Sequence, residues 1–323
     1  MELIRDIQAG CLKAGRPAIS FEFFPPKTEE GERNFFERVL PDLVALGPDF
    51  CSVTYGAGGT TRDKTLGIVE RIQRDHRLTA MTHLTCVGST RDQLVGVLED
   101  ARRRGIRNVL ALRGDPPGGQ GEFVRTPGGF EYSHELVSLI HGMGGFCIGT
   151  AGFPEGHIAC KEGREVDWGR LKYKIDRGAD FVITQLFFDN DDYFRFRDHL
   201  ARLGNTVPII PGIIPILSAT QIKKFTALCG ARIPEKLVSQ LDALGIRDAG
   251  APLAAPPSGR GHGGARRRRE RDAERDDGLG REVLSDRVAA RARQQQDEHG
   301  EDPRHHARGA AQEAAPVRDL NGR

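Results

Sequence analysis

Cysteine is scarce and scattered in this sequence: six residues in 323, with no Cys-x-x-Cys pair among them. That spacing argues against disulfide exchange and against a cysteine-built zinc site. No apolar run approaches the roughly 18 residues that would span a bilayer. Neither sign of charge dominates, and a net charge of +2 is too small to imply a nucleic-acid or acidic-membrane partner. The first residues, Met1 to Asp6, lack the charged-then-apolar layout of a secretory leader. These absences lead us to expect a reduced, cytoplasmic protein with no nucleic-acid and no membrane partner. Aromatic residues make up 7% of the chain, and none follows Phe225. The last quarter therefore has no large ring to bury.

Before that point, short apolar runs alternate with longer amphipathic ones. Strands are expected at 18–24, 49–55, 79–87, 106–113, 145–151, 180–188 and 207–213, each rich in Val, Ile or Phe and bounded by Gly, Pro or Asp. Helices are expected at 30–45, 62–77, 90–105, 133–143, 167–177, 191–203 and 218–228, with an additional one at 2–13 ahead of the first strand. Consecutive βα units imply a parallel sheet with helical crossovers. A (β/α)8 TIM-type barrel is favoured over a doubly wound sheet, because seven consecutive units are many for an open sheet. The Gly-x-Gly-x-x-Gly fingerprint is also missing after the first strand. It occurs once, at Gly259, Gly261 and Gly264, where it follows no strand and is read as chance.

In such a barrel the chemistry gathers at the C-terminal ends of the strands. Glu22 sits among phenylalanines in the first strand, where an acid is costly without a partner or a task. Burial there would raise its pKa toward the range of a general acid, although a structural carboxylate bonded to backbone or lysine fits equally. The second strand ends in the Gly-rich turn after Thr54 and Tyr55, which would let backbone approach a ligand or simply turn the chain. His83 and Cys86 end the third strand, but two ligands without further partners make a poor metal site, so no metal is expected. Arg113 and Asp115 end the fourth, as an ion pair or facing a charged ligand. Small, polar and aromatic residues from Ala151 to His157 follow the fifth. Gln185 lies in the apolar sixth, where its amide needs partners such as the edge of a heterocycle.

The motifs Ser-Phe-Glu-Phe-Phe-Pro-Pro, Val-Thr-Tyr-Gly-Ala, His-Leu-Thr-Cys, Leu-Arg-Gly-Asp, Phe-Pro-Glu-Gly-His and Ile-Thr-Gln-Leu-Phe-Phe-Asp occur in that order. With the run Pro-Ile-Ile-Pro-Gly-Ile-Ile-Pro at 208–215, they resemble the catalytic domain of the methylenetetrahydrofolate reductase family over about 19–241. The resemblance implies non-covalent FAD in a (β/α)8 barrel, with NADH or NADPH reducing the flavin and leaving before 5,10-methylenetetrahydrofolate binds. The product would be 5-methyltetrahydrofolate, placing the chain in one-carbon metabolism and methionine supply. By position, Glu22 would be the general acid, and Asp115 would stand near both the flavin pyrimidine edge and the pterin. Gln185 would join these two in binding the substrate. Thr54, Tyr55, Ala57, His83, Arg113, Gly114 and Asp115 would line the flavin, with Tyr132, Ser133, Ala151, Phe153, His157 and Cys160 continuing that wall. Asp167, Arg170, Tyr173 and Lys174 would hold the ribose, phosphates and adenine. The family further implies small-molecule partners only and a homo-oligomer. Two alternatives remain: a pterin-binding barrel methyltransferase, and an inactive truncated relic of the reductase.

The resemblance ends after Leu241. The family's eighth strand, of the kind Gly-Ile-His-Phe-Tyr-Thr-Leu-Asn, has no match. Residues 242–323 are instead rich in Arg, Ala, Gly and Pro, with the basic run 266–269 offset by Glu270, Asp272, Glu274, Asp276 and Asp277. That composition buries little surface and is expected to remain disordered or form solvated helix. We expect a catalytic domain over 1–241, an aberrant tail from 242 that a reading-frame change would explain, and poor stability unless the open barrel is covered.

Overall fold

The computed structural model describes residues 1–55, 62–115, 123–216 and 219–243. Its strands are β1 (Ser20–Phe23), β2 (Phe50–Val53), β3 (Ala80–Thr85), β4 (Asn108–Leu112), β5 (Cys147–Gly152), β6 (Phe181–Thr184) and β7 (Ile209–Ile210). They form one parallel sheet in the order β1-β2-β3-β4-β5-β6-β7. A doubly wound sheet would reverse direction partway, whereas here each strand lies beside its neighbours in sequence, as in a barrel. Among the described residues β1 pairs only with β2 and β7 only with β6, so this is a TIM-type barrel with seven of its eight units.

The helices are α1 (Ile4–Lys13), α2 (Glu29–Asn34), α3 (Leu40–Val44), α4 (Arg62–His76), α5 (Arg91–Arg103), α6 (Ser133–Met143), α7 (Arg164–Asp176), α8 (Asn190–Arg202), α9 (Ala219–Cys229) and α10 (Glu235–Ala243). The single helix expected at 30–45 is interrupted by a π-helical turn, Phe35–Val39. Pro41 sits at the start of α3 and has no N–H for the preceding turn, so regular α-helix cannot run through it. The wider turn lets adjacent Phe35 and Phe36 both be buried, their rings edge to face at 5.0 Å. Helix α10 was not expected from the sequence; Leu237, Val238 and Leu241 space its apolar side. Among the described residues no helix is long and apolar enough to cross a membrane.

Alternate side chains divide each strand between a lumen and a helix-covered exterior. Outside, Leu66, Val69 and Ile72 of α4 pack with Cys51, Val53 and Ala80, while Leu136, Val137 and Ile140 of α6 pack with Val109 and Ala111. Inside, Phe50, Met81, Leu110, Cys147 and Phe181 form a layer closed from below by Ile4, Ile7 and Cys11 of α1. Each such fully buried side chain contributes about 1.5–3 kcal/mol. Gly149 makes room for this layer, since a Cβ there would stand 2.6 Å from the Phe181 ring. Polar contacts fasten α1: Ile4 N–H donates to Asn108 Oδ1 at 2.9 Å, and Arg5 bonds Asp180 at 2.8 Å.

Candidate active site

Above that apolar layer the lumen divides in two. On the β1–β3 side, Glu22 stands opposite Ser52 in the strand register. The Ser52 hydroxyl donates to Glu22 Oε2 at 3.2 Å. His83 Nε2 lies 3.3 Å from the same oxygen, close enough for charge attraction although not aligned as a hydrogen bond. The Glu22 side chain keeps 46% of its surface exposed. Burial pushes its carboxyl pKa up, but the His83 imidazole and the Ser52 hydroxyl outweigh that, and the net shift is downward. The sequence reading expected a raised pKa for Glu22. Two partners that no linear pattern reveals reverse the direction.

A second cluster forms where β5 leads into α7. Asp167 Oδ2 accepts the His157 backbone N–H at 3.1 Å, and Lys174 Nζ donates to the Ala151 carbonyl at 3.0 Å. Burial pushes the Lys174 ammonium down to about 8, against the pull of Asp167 and with help from Arg113. Asp167 is raised by burial, which exceeds what the His157 N–H and the Lys174 charge return. Burial also lowers His157, and its Nδ1 accepts the Ala159 N–H at 3.0 Å, the arrangement of a neutral ring. Phe153 meets that imidazole edge to face at 4.5 Å, and its carbonyl accepts the Trp168 indole N–H at 2.9 Å.

The remaining residues fall around these two groups. Thr54 is buried, its N–H bonded to Phe23 O at 2.8 Å, and half-buried Tyr55 packs toward the α6 side of the core. Arg113 lies over the Phe123 ring at 4.9 Å, and both Arg113 and exposed Asp115 act through their charge on His157. Between them, Gly114 has φ +86, and a Cβ there would stand 2.6 Å from Val87. Only glycine fits this turn. Tyr132 stacks on His134, which meets Tyr173 edge to face, so Tyr132 and Tyr173 belong to an exposed aromatic row across α6 and α7. Ser133 opens α6 beside Tyr132, whose N–H bonds Glu135 at 2.9 Å. Arg170 pairs with Glu162 and touches Cys160 at 3.4 Å, at the edge of the second cluster, where its charge acts on Asp167 and the Cys160 N–H bonds His157 O at 2.8 Å. Gln185 stands apart: its N–H bonds Gly152 O, and its side-chain oxygen accepts the Leu186 N–H at 2.8 Å. Ala57 and the Gly-rich turn around it lie outside the described residues.

The sequence reading missed Ser52, whose signal was a lone hydroxyl in the otherwise apolar Phe50–Val53. It also missed Asp192, buried at 4% exposure and held by Arg195 at 2.6 Å and Arg232 at 3.2 Å. The Arg232 N–H also reaches Glu155 at 3.1 Å, tying the α9–α10 connection to the loop after β5.

Unmatched polar atoms show what this rim can accept. The Thr85 hydroxyl and His83 Nε2 are buried without an aligned partner, and the half-buried Lys174 ammonium is weakened by desolvation. A ligand with anionic groups near Lys174 and hydrogen-bonding ring edges nearer the lumen fits these residues.

The family described as methylenetetrahydrofolate reductase matches residues 7–251. "Methylenetetrahydrofolate reductase (NADH) 1" of Zea mays is 44% identical over 240 residues, covering 71% of this chain and 40% of the maize protein. "5,10-methylenetetrahydrofolate reductase" of Pectobacterium carotovorum is 40% identical over 232 residues, covering 71% of this chain and 74% of the bacterial one. The Escherichia coli protein of the same name is 40% identical over 230 residues, with 75% of its length covered. The chain thus spans about two-fifths of the plant relatives it matches and about three quarters of the bacterial ones.

Proposed function

This chain belongs to the methylenetetrahydrofolate reductase family, and from that premise we propose that it reduces 5,10-methylenetetrahydrofolate to 5-methyltetrahydrofolate with FAD and NAD(P)H. NADH is the first donor to try, because the plant relatives carry it in their names. When bound, FAD would supply the hydride chemistry, taking a hydride from the nicotinamide and returning it to the folate.

The observation that carries the reading is the division of the rim into a carboxyl-bearing half and a cation-bearing half. Lys174, with Arg113 nearby, would take the pyrophosphate, whose charge would restore the lysine's full protonation. Asp167 would accept from a ribose hydroxyl while keeping the His157 loop in place. Gly114 would let backbone N–H groups approach a flat ring closely, and the Thr85 hydroxyl beside it would find a partner. On the other half, Glu22 would protonate a folate nitrogen as the methylene bridge opens. Its O–H bond breaks, an N–H bond forms, and the carboxylate that remains is the form His83 and Ser52 stabilise. Asp115, at the rim, would favour positive charge on the opened folate. Gln185 would offer its side-chain N–H2 group, since its oxygen is already engaged.

An absorbance experiment tests the reading. The purified chain, reconstituted with FAD if needed, is mixed anaerobically with NADH and then with methylenetetrahydrofolate. Bleaching by the first and recovery of colour with the second is the expected result. A protein that takes up no FAD would sink the proposal.

A further inference from the structure

The carboxyl that the proposed reaction needs as an acid already has a hydroxyl and an imidazole converging on one oxygen. Something must fix its position while it gains and loses a proton. We propose that Ser52 is the positioning residue for Glu22, its hydroxyl holding Oε2 in place both as carboxylate and as acid.

Three observations support this. The two residues are register partners on adjacent parallel strands, so the sheet itself sets their separation. Ser52 is 4% exposed in a strand whose other members are Phe50, Cys51 and Val53, and its hydroxyl reaches Glu22 at 3.2 Å. A buried hydroxyl in such a strand would otherwise lose its solvation without return. A serine hydroxyl is also both donor and acceptor. It donates to the carboxylate and, after rotation, accepts from the protonated acid, which a lysine or a backbone N–H cannot do. The surroundings leave it this task. From the neighbouring strands Ser52 and His83 face Glu22, whereas Cys51 turns outward into the helix-side core, where burial pushes its thiol up to about 12. His83 Nε2 lies 3.3 Å from the same oxygen without an aligned bond, so Ser52 is the partner that fixes direction.

The inference rests on Glu22 being the general acid, but its test does not depend on turnover. The side-chain carboxyl of Glu22 can be titrated by NMR in the full chain labelled at glutamate, its signal identified by its loss in Glu22→Gln. Ser52→Ala removes a bond to the charged form and should move the Glu22 midpoint to higher pH. Ser52→Thr keeps the hydroxyl and should leave the midpoint near that of the parent. In the FAD-loaded protein, the pH limb of the folate half-reaction should move the same way in Ser52→Ala. Its limiting rate should fall roughly tenfold from lost orientation, with reduction by NADH unchanged. A Glu22 midpoint that stays in place in Ser52→Ala, or that moves equally in the alanine and threonine variants, overturns the proposal. A midpoint that moves in a protein without folate turnover keeps Ser52 as the partner of Glu22 and removes the reductase reading instead.

Discussion

Two carboxylates in this barrel shift in opposite directions, and the reason is the company each keeps. Glu22 on β1 is lowered, because a hydroxyl and an imidazole converge on one of its oxygens. Asp167 on α7 is raised: burial prevails although Lys174 is close by, and that lysine is itself lowered to about 8. The first group has its partners already, and they favour the carboxylate. The second is a pair of charges that desolvation has weakened, and it gains from a ligand bringing further charge. On the reaction we propose, the same rim would carry a reacting half, with Glu22, and a holding half, with Asp167 and Lys174.

The largest effect should come from removing the reacting carboxyl. Glu22→Gln keeps the shape and loses the acid, and should slow the folate half-reaction by roughly 10²–10⁴-fold. Stopped-flow bleaching by NADH should stay within twofold of the parent, and an equal loss in both halves would erase the distinction between them. A smaller effect is expected in the holding half. Lys174→Met should weaken FAD binding by about tenfold or more, measured by flavin fluorescence, while raising the melting temperature of the cofactor-free protein by about 2–4 °C. The pH dependence gives the sign. Lys174 has a folded pKa near 8 against an ordinary 10.5, so the folded state loses that proton first. Stability of the cofactor-free chain should therefore rise as pH climbs from 8 to 10.5, and Lys174→Met should lack this rise. The smallest change concerns neither half. Arg232→Ala leaves Asp192 with Arg195 at 2.6 Å and Arg164 at 3.8 Å, and should lower the urea-unfolding midpoint only slightly with FAD affinity unchanged.

The seven strands were legible because each is a short apolar run with a clear boundary, and their order followed from the alternation with helices. Their ends were less so. The sixth strand, expected to reach 188, stops at Thr184, whose hydroxyl accepts the Gly212 N–H at 2.9 Å instead of extending the ladder. The seventh shrinks to Ile209 and Ile210, which are paired on one side among the described residues. The site was legible as a set of polar residues at strand ends, and as motifs resembling a family. Its pairings were not, because Glu22 meets Ser52 and His83 only through strand register. The burial of Asp192 was hidden too, because its partner Arg232 lies far along the chain, between α9 and α10. Of the tail expected from 242, the first two residues end α10, and the rest, with the frame change expected for it, lies outside the described residues.

The floor of the barrel carries a consequence for the order of assembly. Among the described residues every strand bonds only to its neighbours in sequence, so the sheet can grow unit by unit as the chain leaves the ribosome. Helix α1 cannot follow that schedule. Besides Asp49, just ahead of β2, its anchors are Asn108, Cys147 and Asp180, supplied by β4, β5 and the residue just ahead of β6. Part of the apolar side of α1 can meet Phe50 and Met81 once β2 and β3 are made, but its full set of polar partners exists only after Asp180, so α1 finishes docking well after the first units of the sheet have formed.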